Sequence, residues 1–140
     1  MPSRPASYNP VMNVILRAAG EALDIDGCLA WIPRGLIAKL WRAGERGPLG
    51  RPLATSGFAL DLGVHRENGP ALRAAEQNLE ALSAGVAALV RQGFQVKLDI
   101  ELFVTEDDPQ IIALPPTLLA RVVELGVKVG LNAQVPAAAR

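Results

Sequence analysis

Cysteine and histidine are almost absent from this sequence. Among 140 residues there is one cysteine, Cys28, and one histidine, His65. A single cysteine excludes an internal disulfide, and one residue of each type is too few for a Cys/His zinc cluster or a two-histidine zinc site. A Ser-His-Asp triad would have to use His65, which follows an apolar alternation and precedes a polar turn. We therefore expect a buried, inert Cys28, a solvated His65, no catalytic residue, no metal and no cofactor.

The sequence also lacks a charge imbalance and a long apolar run. Fourteen basic residues balance fourteen acidic ones, so nothing in the composition favours nucleic acid or a membrane surface as a partner. No window approaches the roughly 18 apolar residues of a membrane-spanning helix, and the N-terminal residues lack the apolar segment of a signal peptide. Together with the low cysteine content, these absences predict a cytoplasmic protein. Zero net charge also leaves self-association easy.

The clearest pattern that is present is a two-residue alternation over residues 94–104. Every even position is apolar, whereas Lys97, Asp99 and Glu101 are among the polar odd positions. Because successive side chains of a strand point to opposite faces, the pattern predicts a strand with one buried and one polar face. Paired carboxylates can act as acid and base, but Lys97 precedes them on the same face. Cross-strand ion pairing is therefore the better interpretation.

Similar patterns predict the rest of the fold. They indicate strands at 11–18, 58–64, 110–114 and 127–135, helices at 25–32, 70–92 and 117–125, a strand or helical turn at 36–41, and a solvated acidic turn at 106–109. Each long strand has one apolar face, which favours an α+β fold. We expect a two-layer sandwich, with a mostly antiparallel sheet of about five or six strands and helices packed on one face. One domain, 11–135, should lie between tails at 1–10 and 136–140.

The segment 41–57 is dense in glycine and proline, which is typical of a long loop. It carries the candidate ligand-binding residues Trp41, Arg42, Glu45, Arg46 and Arg51. Arginines on a glycine-rich loop bind phosphate or carboxylate through paired hydrogen bonds, although the segment matches neither a Walker motif nor a dinucleotide fingerprint. The alternative is a surface loop that Trp41 anchors to the core, with its arginines solvated or paired to Glu45.

This segment also carries a resemblance to a known family. The first part of the pattern is Trp41-Arg42-Ala43-Gly44-Glu45, followed by a Gly/Pro loop and the strand Ser56-Gly57-Phe58-Ala59-Leu60. The second part is the strand Asp99-Ile100-Glu101-Leu102-Phe103 and the helix from Leu118 to Gly126. From Val11 to Val135 the sequence resembles the small bacterial family called domain of unknown function 4279. The resemblance implies an α+β fold and a bacterial, cytoplasmic setting. It implies no catalytic residue, cofactor or substrate.

Two classes of function follow from these observations. The first hypothesis is a non-enzymatic protein-interaction or binding module, whose partner is another protein or a second copy in a homodimer. The alternative is a domain that binds a small molecule or an anion through the Gly/Arg-rich loop 41–57, with weak enzymatic activity at most. A further alternative is an immunity-type partner that blocks a toxin.

Overall fold

The computed structural model describes residues 12–65, 68–103 and 113–134. Its strands are β1 (Met12–Gly20), β2 (Ile37–Trp41), β3 (Ser56–His65), β4 (Gln95–Phe103) and β5 (Lys128–Gln134). Its helices are α1 (Ile25–Leu29), α2 (Asn68–Ala81), α3 (Ser83–Arg91) and α4 (Pro116–Leu125). The expected tails, the acidic turn at 106–109 and most of the short strand expected at 110–114 lie outside the described residues.

A five-stranded sheet forms one layer of the described fold, in the order β2-β3-β1-β4-β5. The first described strand, β1, lies at the centre and runs antiparallel to both β3 and β4. The last described strand, β5, runs parallel to β4, and α4 lies in the crossover that a parallel connection requires. The sheet is thus mixed but mostly antiparallel, and the predicted α+β class is confirmed.

The alternation that predicted β4 is confirmed by its burial. Val96, Leu98 and Ile100 are each 1% exposed and form one core with the helices. On the opposite face, Arg17 of β1 donates from Nε to Oδ2 of Asp99 at 2.9 Å. The Arg17 guanidinium also lies 3.7 Å from the Glu101 carboxylate, and the Lys97 ammonium 3.3 Å from that of Asp99. The carboxylates therefore form ion pairs across the sheet.

The helix expected over 70–92 is interrupted, which corrects the sequence prediction. A break at Leu82, where ψ is 0°, separates α2 from α3. The Ser83 hydroxyl donates to the Leu79 carbonyl at 3.0 Å, and a side chain that takes a helix carbonyl in this way bends the helix. The apolar stripe continues through the break, because Leu79, Leu82 and Val86 are all at most 1% exposed.

Strand β3 contains a β-bulge, and next to it Gly63 allows α2 to approach the sheet closely. The register between β1 and β3 shifts between Val14 and Ile15. Beyond the shift, a Cβ on Gly63 would overlap the backbone of Ala71 in α2. A residue with no side chain is therefore required at this point of contact between helix and strand.

The apolar face of β5 differs from the sequence prediction. Val129 pairs with Leu98 and Leu131 with Ile100, so these side chains share the face that is buried in β4. Val129 is nevertheless 39% exposed and Leu131 61% exposed. The reason is strand order: β5 lies at the end of the described sheet, and the helices cover the strands nearer its centre.

Candidate functional site

The glycine-rich segment after β2 forms an ordered hairpin instead of an open loop. The Gly44 N–H donates to the Leu53 carbonyl at 2.9 Å, and the Leu53 N–H donates to the Glu45 carbonyl at 2.7 Å. At the tip, Gly50 has a φ of +77°, a value that glycine adopts without strain. We call residues 44–53 the hairpin. Its glycines and prolines form a defined turn that holds neighbouring side chains in place.

Trp41, the last residue of β2, is held at the base of the hairpin. It pairs with Gly57 of β3, where a Cβ would overlap the indole ring. The indole Nε1 donates to the Thr55 hydroxyl at 3.4 Å. The Lys39 ammonium lies 5.8 Å from the ring centroid, which is within the range of a cation–π contact. The ring is therefore half-buried and fixed before any ligand arrives.

A cleft of about 670 Å³ lies between β2 and the hairpin, and we call it the Trp41 cleft. Its described lining residues are Lys39, Leu40, Trp41, Glu45, Arg46, Gly47, Pro48 and Leu53. The first three are consecutive in a strand, so their side chains alternate between faces. The cleft therefore lies beside β2, which is the last described strand at its end of the sheet.

The structure brings three of the five predicted site residues to this cleft, namely Trp41, Glu45 and Arg46. Arg42 points elsewhere: its guanidinium donates to Asp26 of α1 at 3.0 Å, and its backbone N–H donates to the Glu45 carboxylate at 2.7 Å. Arg51 is not among the lining residues. The anion-binding set of three arginines that the sequence suggested is therefore not assembled at the cleft.

Sequence reasoning missed the other side of the cleft. Lys39 and Leu40 fall in 36–41, where the sequence fits either a strand or a helical turn, and Pro48 and Leu53 fall in the glycine- and proline-rich segment 41–57. Reading 36–41 as a strand would have identified the alternation around Lys39. The position of that strand at the end of the described sheet, however, depends on its pairing with β3, and no sequence pattern within 36–41 predicts that pairing.

The chemistry of the cleft is mainly apolar, with charged residues of both signs. Leu40, Pro48 and Leu53 supply aliphatic surface next to the indole. Lys39 and Arg46 supply two cations, and Glu45, whose carboxylate accepts the Arg42 backbone N–H, supplies one anion. None of the described lining residues is a serine, threonine, cysteine or histidine. The arrangement suits a ligand that combines an apolar group with a negative charge.

A second, smaller cavity of about 350 Å³ lies beside Trp41 on the polar face of the sheet. Arg17, Gln95 and Lys97 are among its lining residues. Arg17 and Lys97 both pair with the Asp99 carboxylate, at 2.9 and 3.3 Å. Their charges are thus already compensated, which makes this cavity a weaker anion site than the Trp41 cleft.

Cys28 lies in α1 and is 3% exposed. Burial raises the pKa of its thiol above the ordinary value of 9.0, and the nearby Asp24 carboxylate raises it further. The thiolate is the reactive form of cysteine. At neutral pH this side chain is therefore a packed thiol.

Within the described parts of the chain, no three His, Cys, Asp or Glu side chains are grouped in a way that could hold a metal ion.

The state of Cys28 gives a prediction about alkylation and pH. Iodoacetamide should modify the native protein at least tenfold more slowly than the urea-unfolded protein at pH 8, because the folded thiol is shielded and ionises less. The unfolded thiol ionises first as the pH rises, so stability should be lost as the pH passes 9.0. When the free energy of unfolding is measured against pH, the Cys28→Ala variant should not show this loss of stability above pH 9.0. Equal alkylation rates in native and unfolded protein would contradict the buried placement.

None of the described helices has the length and apolar character needed to cross a membrane. Comparison with known proteins finds no match, whether to protein-family models, to curated proteins or to solved structures.

Proposed function

We propose that this protein is a non-enzymatic, cytoplasmic binding module that captures an extended segment of a partner protein in the Trp41 cleft. The observation that carries the proposal is the course of the cleft along β2, the last described strand at its end of the sheet. An edge strand directs backbone donors and acceptors outward. Recognition by strand addition uses such groups for affinity and adjacent pockets for side-chain specificity.

The lining of the cleft defines the kind of segment that fits. Burial of a large apolar side chain against Trp41 and Leu53 would supply most of the affinity, at about 25 cal/mol per Å² of apolar surface. Exposed ion pairs add only about 0–1 kcal/mol. Charges on Lys39 and Arg46 would therefore act mainly on orientation and specificity. The expected segment has one large apolar residue with an aspartate or glutamate close to it.

Selection from a library of random peptides tests this proposal. Peptides of about ten residues, long enough to form a strand, should be enriched in the apolar-plus-acidic pattern. Binding of a selected synthetic peptide should change the fluorescence of Trp41. The other tryptophan, Trp31, packs edge-on against Phe58 with ring centroids 6.2 Å apart, and should report no change.

Variants separate the contributions to binding. Trp41→Ala should weaken peptide binding at least tenfold, a loss of about 1.4 kcal/mol or more. Arg46→Ala should have a smaller effect that is confined to acidic peptides. The matched control is Leu49→Ala, because Leu49 is 88% exposed in the hairpin and does not line the cleft. Equal loss in the Trp41 and Leu49 variants would contradict the proposed site.

Binding of a small anion is the second candidate function. It is favoured by the placement of Lys39 and Arg46 on one cleft with an indole ring, and by a volume within the roughly 300–1,000 Å³ range of small-molecule sites. A thermal-shift screen of phosphates, nucleotides and carboxylates distinguishes it, since a bound ligand stabilises the folded state. A ligand-induced rise in melting temperature that disappears in Arg46→Ala, together with no peptide binding, would favour anion binding over the first proposal.

The resemblance to the domain of unknown function 4279 family remains a prediction.

A further inference from the structure

Strand β5, which ends the described part of the sheet at the side opposite the Trp41 cleft, exposes apolar side chains. Leu131 is 61% exposed and Val129 39% exposed, although both lie on the face that is buried elsewhere in the sheet. The neighbouring helix α4 contacts β5 and itself exposes Val123, at 79%, and Leu119, at 40%. Exposed apolar groups mark an interaction surface where they are contiguous, and the contact between α4 and β5 puts these four side chains on neighbouring elements.

The backbone of β5 is also suited to pairing with another strand. Its seven residues pair with β4 in continuous register from Lys128 to Gln134. Natural edge strands are commonly protected by charges, prolines or bulges. In β5 the one charged residue is Lys128, at its first position, and the strand contains neither a proline nor a register shift.

We propose that β5 pairs antiparallel with β5 of a second copy, across a two-fold axis at Leu131, so that the two sheets become continuous. An axis at Leu131 is the one that pairs all seven residues of the strand with their counterparts. It places Leu131 opposite Leu131 of the second copy, and Val129 opposite Ala133. A two-fold contact of this type uses the same surface on both chains.

The same register avoids placing like charges opposite each other. Lys128 falls opposite Gln134 of the second copy, and Gly130 falls opposite Asn132, so no like charges face each other. Like charges directly opposite would destabilise the pair. The fourteen basic and fourteen acidic residues of each chain also cancel, which removes net repulsion between copies. One face of the joined strands is apolar and the other is neutral except at its ends.

Sedimentation measurements test the proposal on the full chain. The wild-type protein should show a concentration-dependent monomer–dimer equilibrium. Leu131→Lys places two ammonium groups opposite each other at the axis, and should raise the dimer dissociation constant at least tenfold. Because Leu131 is 61% exposed, the variant should retain the circular dichroism spectrum of the monomer. Leu49→Lys is the matched control, since Leu49 is 88% exposed in the hairpin, and it should dimerise like wild type.

Cross-linking tests the register independently of Leu131. In the proposed pairing, Asn132 and its copy are diagonal neighbours at roughly 7–8 Å. Asn132→Cys should therefore form a covalent dimer with a short bismaleimide, whereas Leu49→Cys should not. Wild type, which retains the buried Cys28, gives the background. A strictly monomeric wild type, an unchanged dimer in Leu131→Lys, or equal cross-linking of the two cysteine variants would overturn the proposal.

Discussion

Replacing Leu82 with aspartate should prevent the protein from folding at room temperature. Leu82 is 1% exposed at the junction of α2 and α3 and belongs to the main core. Removing a buried leucine side chain costs about 2–5 kcal/mol, and burying an unpaired carboxylate adds several more. The two costs together are comparable to the total stability of a domain, about 5–15 kcal/mol. Circular dichroism and amide NMR dispersion provide the measurement.

The control for this variant is the same substitution at an exposed leucine. Leu49 is 88% exposed, so Leu49→Asp should melt within a few degrees of wild type, as surface changes of about 0.5 kcal/mol do. The milder Leu82→Ala should fold with a stability lower by about 2–5 kcal/mol in urea titrations. A folded Leu82→Asp protein with a wild-type melting temperature would show that α2 and α3 do not pack on the sheet as described.

Gly63→Ala should destabilise the protein by about 3 kcal/mol, near the upper end for overpacking. The added methyl group would overlap the backbone of Ala71. A flexible side chain can rotate away from such an overlap, but a helix backbone must move as a unit. We expect α2 to be displaced from β3, with a lower urea midpoint and an unchanged slope of the free energy of unfolding against urea.

Gly35→Ala is the matched control for this second prediction. No heavy atom lies within 4 Å of a Cβ built on Gly35, whose backbone does not adopt a left-handed conformation. The substitution should be neutral or stabilise the protein by up to about 1 kcal/mol, because it restricts the unfolded chain. If both alanine variants unfold like wild type, the close approach of α2 to β3 is wrong.

Features that depend on local chemistry were predictable from the sequence. Aspartate is a common N-cap residue, and the carboxylate of Asp24, just before α1, accepts the Gly27 N–H at 3.1 Å. Glycine commonly follows the end of a helix, and Gly93 and Gly126 both have positive φ there, at +93° and +75°. The alternation of β4 was equally clear, because even-numbered residues of the strand point into the core and odd-numbered residues point away from it. In each case the signal and its cause lie within a few residues of each other.

Features that depend on distant contacts were not predictable in this way. The periodicity over 70–92 continues through Leu82, so the break is visible only when the Ser83 hydroxyl is placed against the Leu79 carbonyl. The exposure of Leu131 follows from strand order, since the same alternation would be buried in a central strand. Periodicity describes which residues share a face, but it does not say what covers that face.

The candidate site was predicted in part for the same reason. The composition of 41–57 pointed to Trp41, Glu45 and Arg46, which line the cleft. It also pointed to Arg42, whose guanidinium pairs with Asp26 sixteen residues upstream. A cluster of arginines in the sequence does not show which of them will form an ion pair with another element of the fold.

The central position of β1 affects how the protein is made. Arg17 of β1 contacts Asp99 of β4, and 82 positions of the chain separate them. A ribosome that adds about 5–20 residues per second needs roughly 4–16 s to cover that distance. Strand β3, the other neighbour of β1, is synthesised earlier, but one side of β1 has no partner strand until β4 is made. Nascent chains should therefore depend on chaperones, and a permuted chain in which β1 follows β4 should need them less.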